Sequence, residues 1–137
     1  GNYHVALRHR NHLGVMTAST LALSTSPAMI DFRNIGTNTY GSQAQKQIGS
    51  MMVMFAGNVF RDGSVSQIKY TGTNNDRDQV LTIIGGMVPT NTITGYYRED
   101  VDLSGVVKYT GAPNDRDPIL VNIGGTVPTN TRNEQLP

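Results

Sequence analysis

Of the chain's eight aspartates, seven (Asp62, Asp76, Asp78, Asp100, Asp102, Asp115 and Asp117) fall between residues 62 and 117. Carboxylates gathered this closely repel one another unless a cation neutralises them, so their clustering points to metal binding. Calcium takes about six to eight oxygen ligands, and EF-hand loops supply them at alternate positions, with Gly at the sixth for a sharp turn. Asp100, Asp102 and Ser104 stand at the first, third and fifth positions of such a loop, Gly105 stands at the sixth, and the carbonyl of Val106 follows. Residues Lys108 to Asn114 then intervene, so a later acid must close the shell. Asp117 is expected to do so as a bidentate ligand, with Asp115 in addition. The first copy offers Asn58, Asp62, Asp76 and Asp78, but Phe60 replaces the third ligand and a weaker or remodelled site is expected there. Oxygen donors and the absence of Cys favour calcium over zinc. The competing reading is that these aspartates cap turns and pair with Arg77 and Arg116, each of which lies between two of them.

The acids belong to a duplication. KYTGTNNDRDQVLTIIGGMVPTNT from Lys69 aligns with KYTGAPNDRDPILVNIGGTVPTNT from Lys108, 39 residues later, with 17 of 24 positions identical. Each copy orders an acidic turn, a short β-like stretch, a second Asp cluster and an apolar run closed by Gly-Gly. Asp117 followed by Pro118 reads as a helix N-cap with Pro at the first position, and Gly124-Gly125 should end a helix of two or three turns at most. Asp78 and Gly85-Gly86 do the same in the first copy. Because the runs are rich in β-branched residues, packing rather than propensity must hold these helices.

Residues 1–56 differ in texture. Tyr3–Arg8, Val15–Ala18, Thr20–Leu23, Met29–Phe32 and Ile48–Ala56 read as strands divided by Gly, Ser, Pro and Asn, about half of a β-sandwich. The expected architecture is mainly β. A partial β-sandwich over residues 1–56 precedes a small EF-hand-like calcium-binding repeat domain with short helices over 57–137, its repeats at 57–95 and 99–131.

The net charge of +1 leaves no electrostatic footprint for nucleic acid, and no apolar run is long enough to insert in a membrane. Without Cys there are neither disulfides nor thiolate chemistry. His9 and His12 are the most catalytic-looking pair, but residues three apart on a strand face opposite ways, and no activated nucleophile or acidic partner is close in sequence. The histidines therefore read as structural, and the protein as non-enzymatic. Met51, Met52 and Met54 read as core filler. Tyr96-Tyr97 lies at the junction between repeats and is placed to pack them together. Thr90, Thr92, Thr129 and Thr131 are candidate positions for O-linked sugar.

The segment Tyr3-His4-Val5-Ala6-Leu7-Arg8-His9-Arg10-Asn11-His12-Leu13-Gly14-Val15-Met16 and the two Lys-Tyr-Thr-Gly-x-x-Asn-Asp-Arg-Asp units resemble the C-terminal region of large secreted surface proteins of Bacteroidetes-type bacteria. The likeness covers nearly the whole chain. It implies a β-sandwich followed by dockerin-like calcium repeats, an extracellular address and bound Ca2+, in modules described as adhesin- or haemagglutinin-like. Phe60 departs from the acidic third ligand expected in that family. In the related proteins further strands precede the Tyr-x-Val segment, whereas here Gly1 opens almost directly onto it. The expectation is a sheet completed from outside by strand addition, which repeated head-to-tail makes a homo-oligomer or filament. Tyr3, Val5 and Leu7 belong to the preferred donated strand, and the polar tail from Thr126 to Pro137 is the poorer candidate. The alternative is a calcium-dependent adhesin or a dockerin-like module that binds a glycan or a protein partner.

Overall fold

The computed structural model describes residues 1–26, 28–61, 63 and 66–137. The chain is mainly β, with two short helices, and among the described residues every ladder has two antiparallel strands. β1 (Asn2–Tyr3) pairs with β4 (Leu21–Ala22), β2 (Ala6–His9) with β3 (His12–Met16), and β5 (Gln45–Ile48) with β6 (Met51–Met54). Among the described residues the N-terminal segment thus folds as separate two-stranded ladders. Among the described residues no helix is long and apolar enough to cross a membrane.

Two expected strands are remodelled for visible reasons. The apolar stretch at Met29–Phe32 forms no ladder, because the Asp31 carboxylate accepts the Arg33 backbone N–H at 2.9 Å and closes a local turn. Ile48–Ala56 is not one strand: Gly49, at φ +59°, lets the chain reverse, so Ile48 faces Met51 across a hairpin and Gln45–Ile48 becomes its other arm. The hairpins are stitched together where the Leu13 N–H donates to the Phe55 carbonyl at 2.9 Å.

In the duplicated half, β7 (Gln67–Lys69), α1 (Asp76–Ile83) and β8 (Thr92–Thr94) are matched by β9 (Val106–Lys108), α2 (Arg116–Asn122) and β10 (Thr131–Asn133). The strands are exchanged: β8 of the first copy pairs with β9 of the second, and β10 of the second returns to β7 of the first. The core repeats accordingly, with Ile68 and Val107, Val80 and Ile119, and Ile84 and Ile123 all buried, and with Leu13 and Phe55 from the hairpins completing the cluster. Each such side chain contributes roughly 1.5–3 kcal/mol by leaving water. Tyr97 packs against this core, whereas Tyr96 is exposed.

The helix boundaries correct the expected caps. Asn75, not Asp78, caps α1: its side-chain oxygen accepts the Asp78 N–H at 2.9 Å. Asn114 serves Asp117 in the same way at 2.9 Å, and Pro118 is therefore the third helical residue instead of the first. Asn is as good an acceptor for an unpaired N–H as Asp, and it stands three residues upstream where the geometry needs it. Both helices end as expected. The Gly86 N–H reaches the Leu81 carbonyl at 2.9 Å, and Gly125 reaches Leu120 at 2.9 Å, beyond glycines with positive φ.

Candidate metal centre

The loop from Asp100 to Gly105 turns sharply, with Leu103 at φ +62° and Gly105 at φ +85°. Asp100, nearly fully buried, organises it: Oδ1 accepts the Ser104 N–H at 2.9 Å, and Oδ2 accepts the Gly105 N–H at 3.1 Å. Asp102 is exposed and also takes the Ser104 N–H, at 3.0 Å. Asp115 comes from the start of α2 and is fully buried. Its carboxylate accepts the N–H groups of Val101 at 2.6 Å, Asp102 at 3.1 Å and Lys108 at 2.7 Å, so it fastens the acidic loop to β9.

One carboxylate oxygen each from Asp100, Asp102 and Asp115 lies within 4.8 Å of the other two. Burial pushes the Asp115 carboxyl above its ordinary range, and the nearby charge of Asp102 pushes the same way. Against these acids stands one guanidinium, Arg10, whose Nη2 is 3.0 Å from Asp100 Oδ2. Two negative charges are left without a local partner when all three acids are ionised. The cluster could hold a metal ion.

The structure therefore gathers three of the expected second-copy ligands, Asp100, Asp102 and Asp115, and turns Asp117 away. Asp117 lies at the surface, where the Asn114 amide donates to it at 2.8 Å and Arg116 approaches at 3.0 Å; the Asn114 bond first, then Arg116, holds its carboxyl below the usual range. The Ser104 hydroxyl donates to the Val106 carbonyl at 3.2 Å. Asp115 takes the inward place because it immediately precedes the first helical residue, beside the backbone N–H groups of the loop, whereas Asp117, two residues on, lies about 200° further around the helix.

The first copy repeats the scaffold, with Asp76 in the place of Asp115. Asp76 accepts the N–H groups of Val59 at 2.6 Å, Phe60 at 2.7 Å and Lys69 at 2.6 Å, and burial pushes its carboxyl up to about 6 against the pull of those bonds. Asn58 occupies the place of Asp100; it is fully buried, and neither polar atom of its amide has a hydrogen-bond partner among the described residues. Asp78 mirrors Asp117, bonded to Asn75 at 2.7 Å and to Arg77 at 2.9 Å. Asp62 lies outside the described residues. Among those that are described, three clustered acids occur in the second copy alone.

Sequence reasoning did not anticipate the part played by the β2–β3 turn. Asn11 is fully buried between the two acidic loops. Its amide donates to the carbonyls of Arg98 at 2.9 Å and Asp100 at 2.7 Å, and its own carbonyl accepts the N–H groups of Gly57 at 2.8 Å and Asn58 at 3.0 Å. An Asn inside a run of basic residues at a hairpin tip was the available signal. His9 and His12, expected on opposite faces, are instead cross-strand partners, because the turn at Arg10-Asn11 folds them onto one side. Their rings meet edge to face at 4.5 Å, with both Nδ1 atoms near the Asn11 side-chain oxygen. Burial, followed by the charges of His9, Arg10 and Lys46, lowers His12 to about 4, so it is neutral at pH 7.

No protein-family model, curated protein or solved structure matches the chain.

Proposed function

We propose that the chain is a non-enzymatic structural subunit of an extracellular surface assembly, stabilised by one Ca2+ in the second repeat. The observation that carries this reading is the convergence of Asp100, Asp102 and Asp115 on one point at the junction of the acidic loop, β9 and α2. Calcium there would neutralise the excess negative charge and tie the loop to the helix, the task a disulfide performs in many secreted domains and that a Cys-free chain cannot assign to sulfur. The three carboxylates supply part of the shell, and backbone carbonyls and water would complete the about six to eight oxygens that calcium prefers. Magnesium, which demands a tighter octahedral shell near 2.0–2.1 Å, roughly, is the poorer fit for donors on a loop.

Assembly is the second element of the reading. Beyond single bonds such as Leu13 to Phe55 and Met52 to Arg33, the ladders take no third strand among the described residues, and open edges accept further strands. Apolar side chains are exposed along them, including Tyr3 and Leu7, Ile48 and Met51.

Calcium titration with reversal by EDTA, read by calorimetry and thermal melting, tests the metal. A melting temperature that rises with calcium and returns with EDTA is the expected result. Identical melting curves in calcium and in EDTA would remove the basis for the reading.

A further inference from the structure

The exchanged strands give the assembly a specific joint. Val88-Pro89-Thr90-Asn91-Thr92 and Val127-Pro128-Thr129-Asn130-Thr131 are the same pentapeptide, and each crosses to the other repeat. Their anchors match: the Thr110 hydroxyl donates to the Pro89 carbonyl at 3.0 Å, and the Thr71 hydroxyl to the Pro128 carbonyl at 3.0 Å. The acceptor strands match too, with Val107 and Ile68 fully buried at their centres. Within one chain, then, two equivalent edges have already traded their partner strands.

β10 and the residues after it form a strap whose contacts lie mostly in the first half of the chain. The Arg132 guanidinium stacks over the Phe55 ring at 3.9 Å and donates to the Asn122 carbonyl at 2.7 Å. Glu134 accepts the Gly14 N–H at 2.6 Å and donates its own N–H to the Ser66 carbonyl at 2.8 Å. Gln135 accepts the Ser42 N–H at 3.2 Å. The route from α2 to this strap is the short connector through Gly124-Gly125, both at positive φ.

We propose that the strap over residues 131–136 is exchanged between copies of this chain, β10 of one copy pairing with β7 (Gln67–Lys69) of the next. This rests on the assembly reading above and names its joint. The occupant is a second copy because the edge is already fitted to this strap: Phe55, Gly14, Ser42 and Ser66 each meet a particular strap residue. The exchanged form keeps the contacts of the closed form, so the balance depends on concentration and on strain in the connector. A short connector holds the strap near its own edge at an effective concentration of about 1 mM, so the closed form dominates in dilute solution. Reciprocal exchange closes a dimer, and one-way exchange extends a filament.

Gln67 and Asn133 stand opposite each other in the ladder, joined by a side-chain hydrogen bond at 2.7 Å, and the chain has no other thiol. The double variant Gln67→Cys/Asn133→Cys, refolded in calcium and then oxidised, reports which copy supplies the strap. The ratio of interchain to intrachain disulfide should rise in proportion to protein concentration, about a hundredfold between about 10 µM and about 1 mM. Co-refolding the two single variants should give the mixed dimer ahead of either homodimer. Light scattering of the unmodified chain, refolded alongside, separates the two ideas. If it forms multimers while the double variant closes only within chains, the strap is not the joint and the assembly reading stands. If it remains monomeric at every concentration, both fall.

Discussion

Asp76 and Asp115, 39 residues apart, make the same three bonds: each carboxylate spans from the acidic turn of its repeat to the strand that follows, accepting two backbone N–H groups on one side and one on the other. The first acid of each Asn-Asp-Arg-Asp motif is thus a fixture of the fold. What stands across from that fixture differs between the copies: Asp100 and Asp102 in the second, Asn58 and Phe60 in the first.

Asp76→Ala should therefore destabilise the protein whether or not calcium is present. Three backbone N–H groups would lose their acceptor in a buried place, at about 1–3 kcal/mol each if no water enters, so a total loss of about 3–5 kcal/mol is expected after relaxation. Urea unfolding in EDTA and in calcium should give the same loss. A change under about 1 kcal/mol would mean that these bonds do not hold the turn.

Asp102→Asn separates metal from fold. Asp102 is exposed, and its one short-range bond to the Ser104 N–H can be kept by the Asn oxygen, so stability in EDTA should move by no more than about 0.5 kcal/mol. In calcium, the unmodified protein should gain about 2.7 kcal/mol at a hundred times its Kd, and the variant should lose most of that gain. A variant that melts like its parent across a calcium titration would place any bound ion elsewhere.

Much of this was legible in the sequence. The repeat, the Asp-x-Asp-x-Ser-Gly loop and the Gly-Gly helix ends are local patterns, and short-range geometry decides them. The choice between Asp115 and Asp117 was not legible, since both flank Arg116 and only the approach of Val101, Asp102 and Lys108 turns one inward. Strand exchange was hidden for a related reason: two identical pentapeptides carry no local signal of which edge each will meet, and the contacts that distinguish them come from residues after the repeat. The polar tail looked unsuited to pairing because its burial comes from contacts such as Arg132 on Phe55, which no local pattern records.

His12 makes acid a destabilising condition. His12 titrates near 6.5 when unfolded and at about 4 when folded, so between those values the unfolded chain binds the proton and the folded one does not. Its contribution is complete above about pH 6.5 and is lost as pH falls toward 4. Asp76 acts in the opposite sense, its carboxyl raised from 3.8 to about 6, so its burial costs more as pH rises through that window. Comparing His12→Gln with its parent cancels the Asp76 contribution and isolates the first: the variant should gain relative stability as pH drops from 7 to 4. A difference that stays constant with pH would show that folding does not shift the His12 pKa.

Glycine substitutions can separate crowding from backbone strain. Gly57 sits at φ +113°, and an added Cβ would lie 3.1 Å from Ile119 Cγ1 and 3.3 Å from the Ile119 Cα, a backbone atom of α2 that cannot swing away. Gly111 has φ +86° with nothing within 4 Å of the same added atom. Gly111→Ala should therefore cost only the left-handed backbone penalty of about 1–2 kcal/mol. Gly57→Ala should cost that and a further about 1–3 kcal/mol, because α2 must shift against the core that Ile119 anchors. Chemical denaturation of the two variants in EDTA measures the difference. Equal losses would mean that α2 yields easily and that the contact between the first acidic turn and the second repeat is loose.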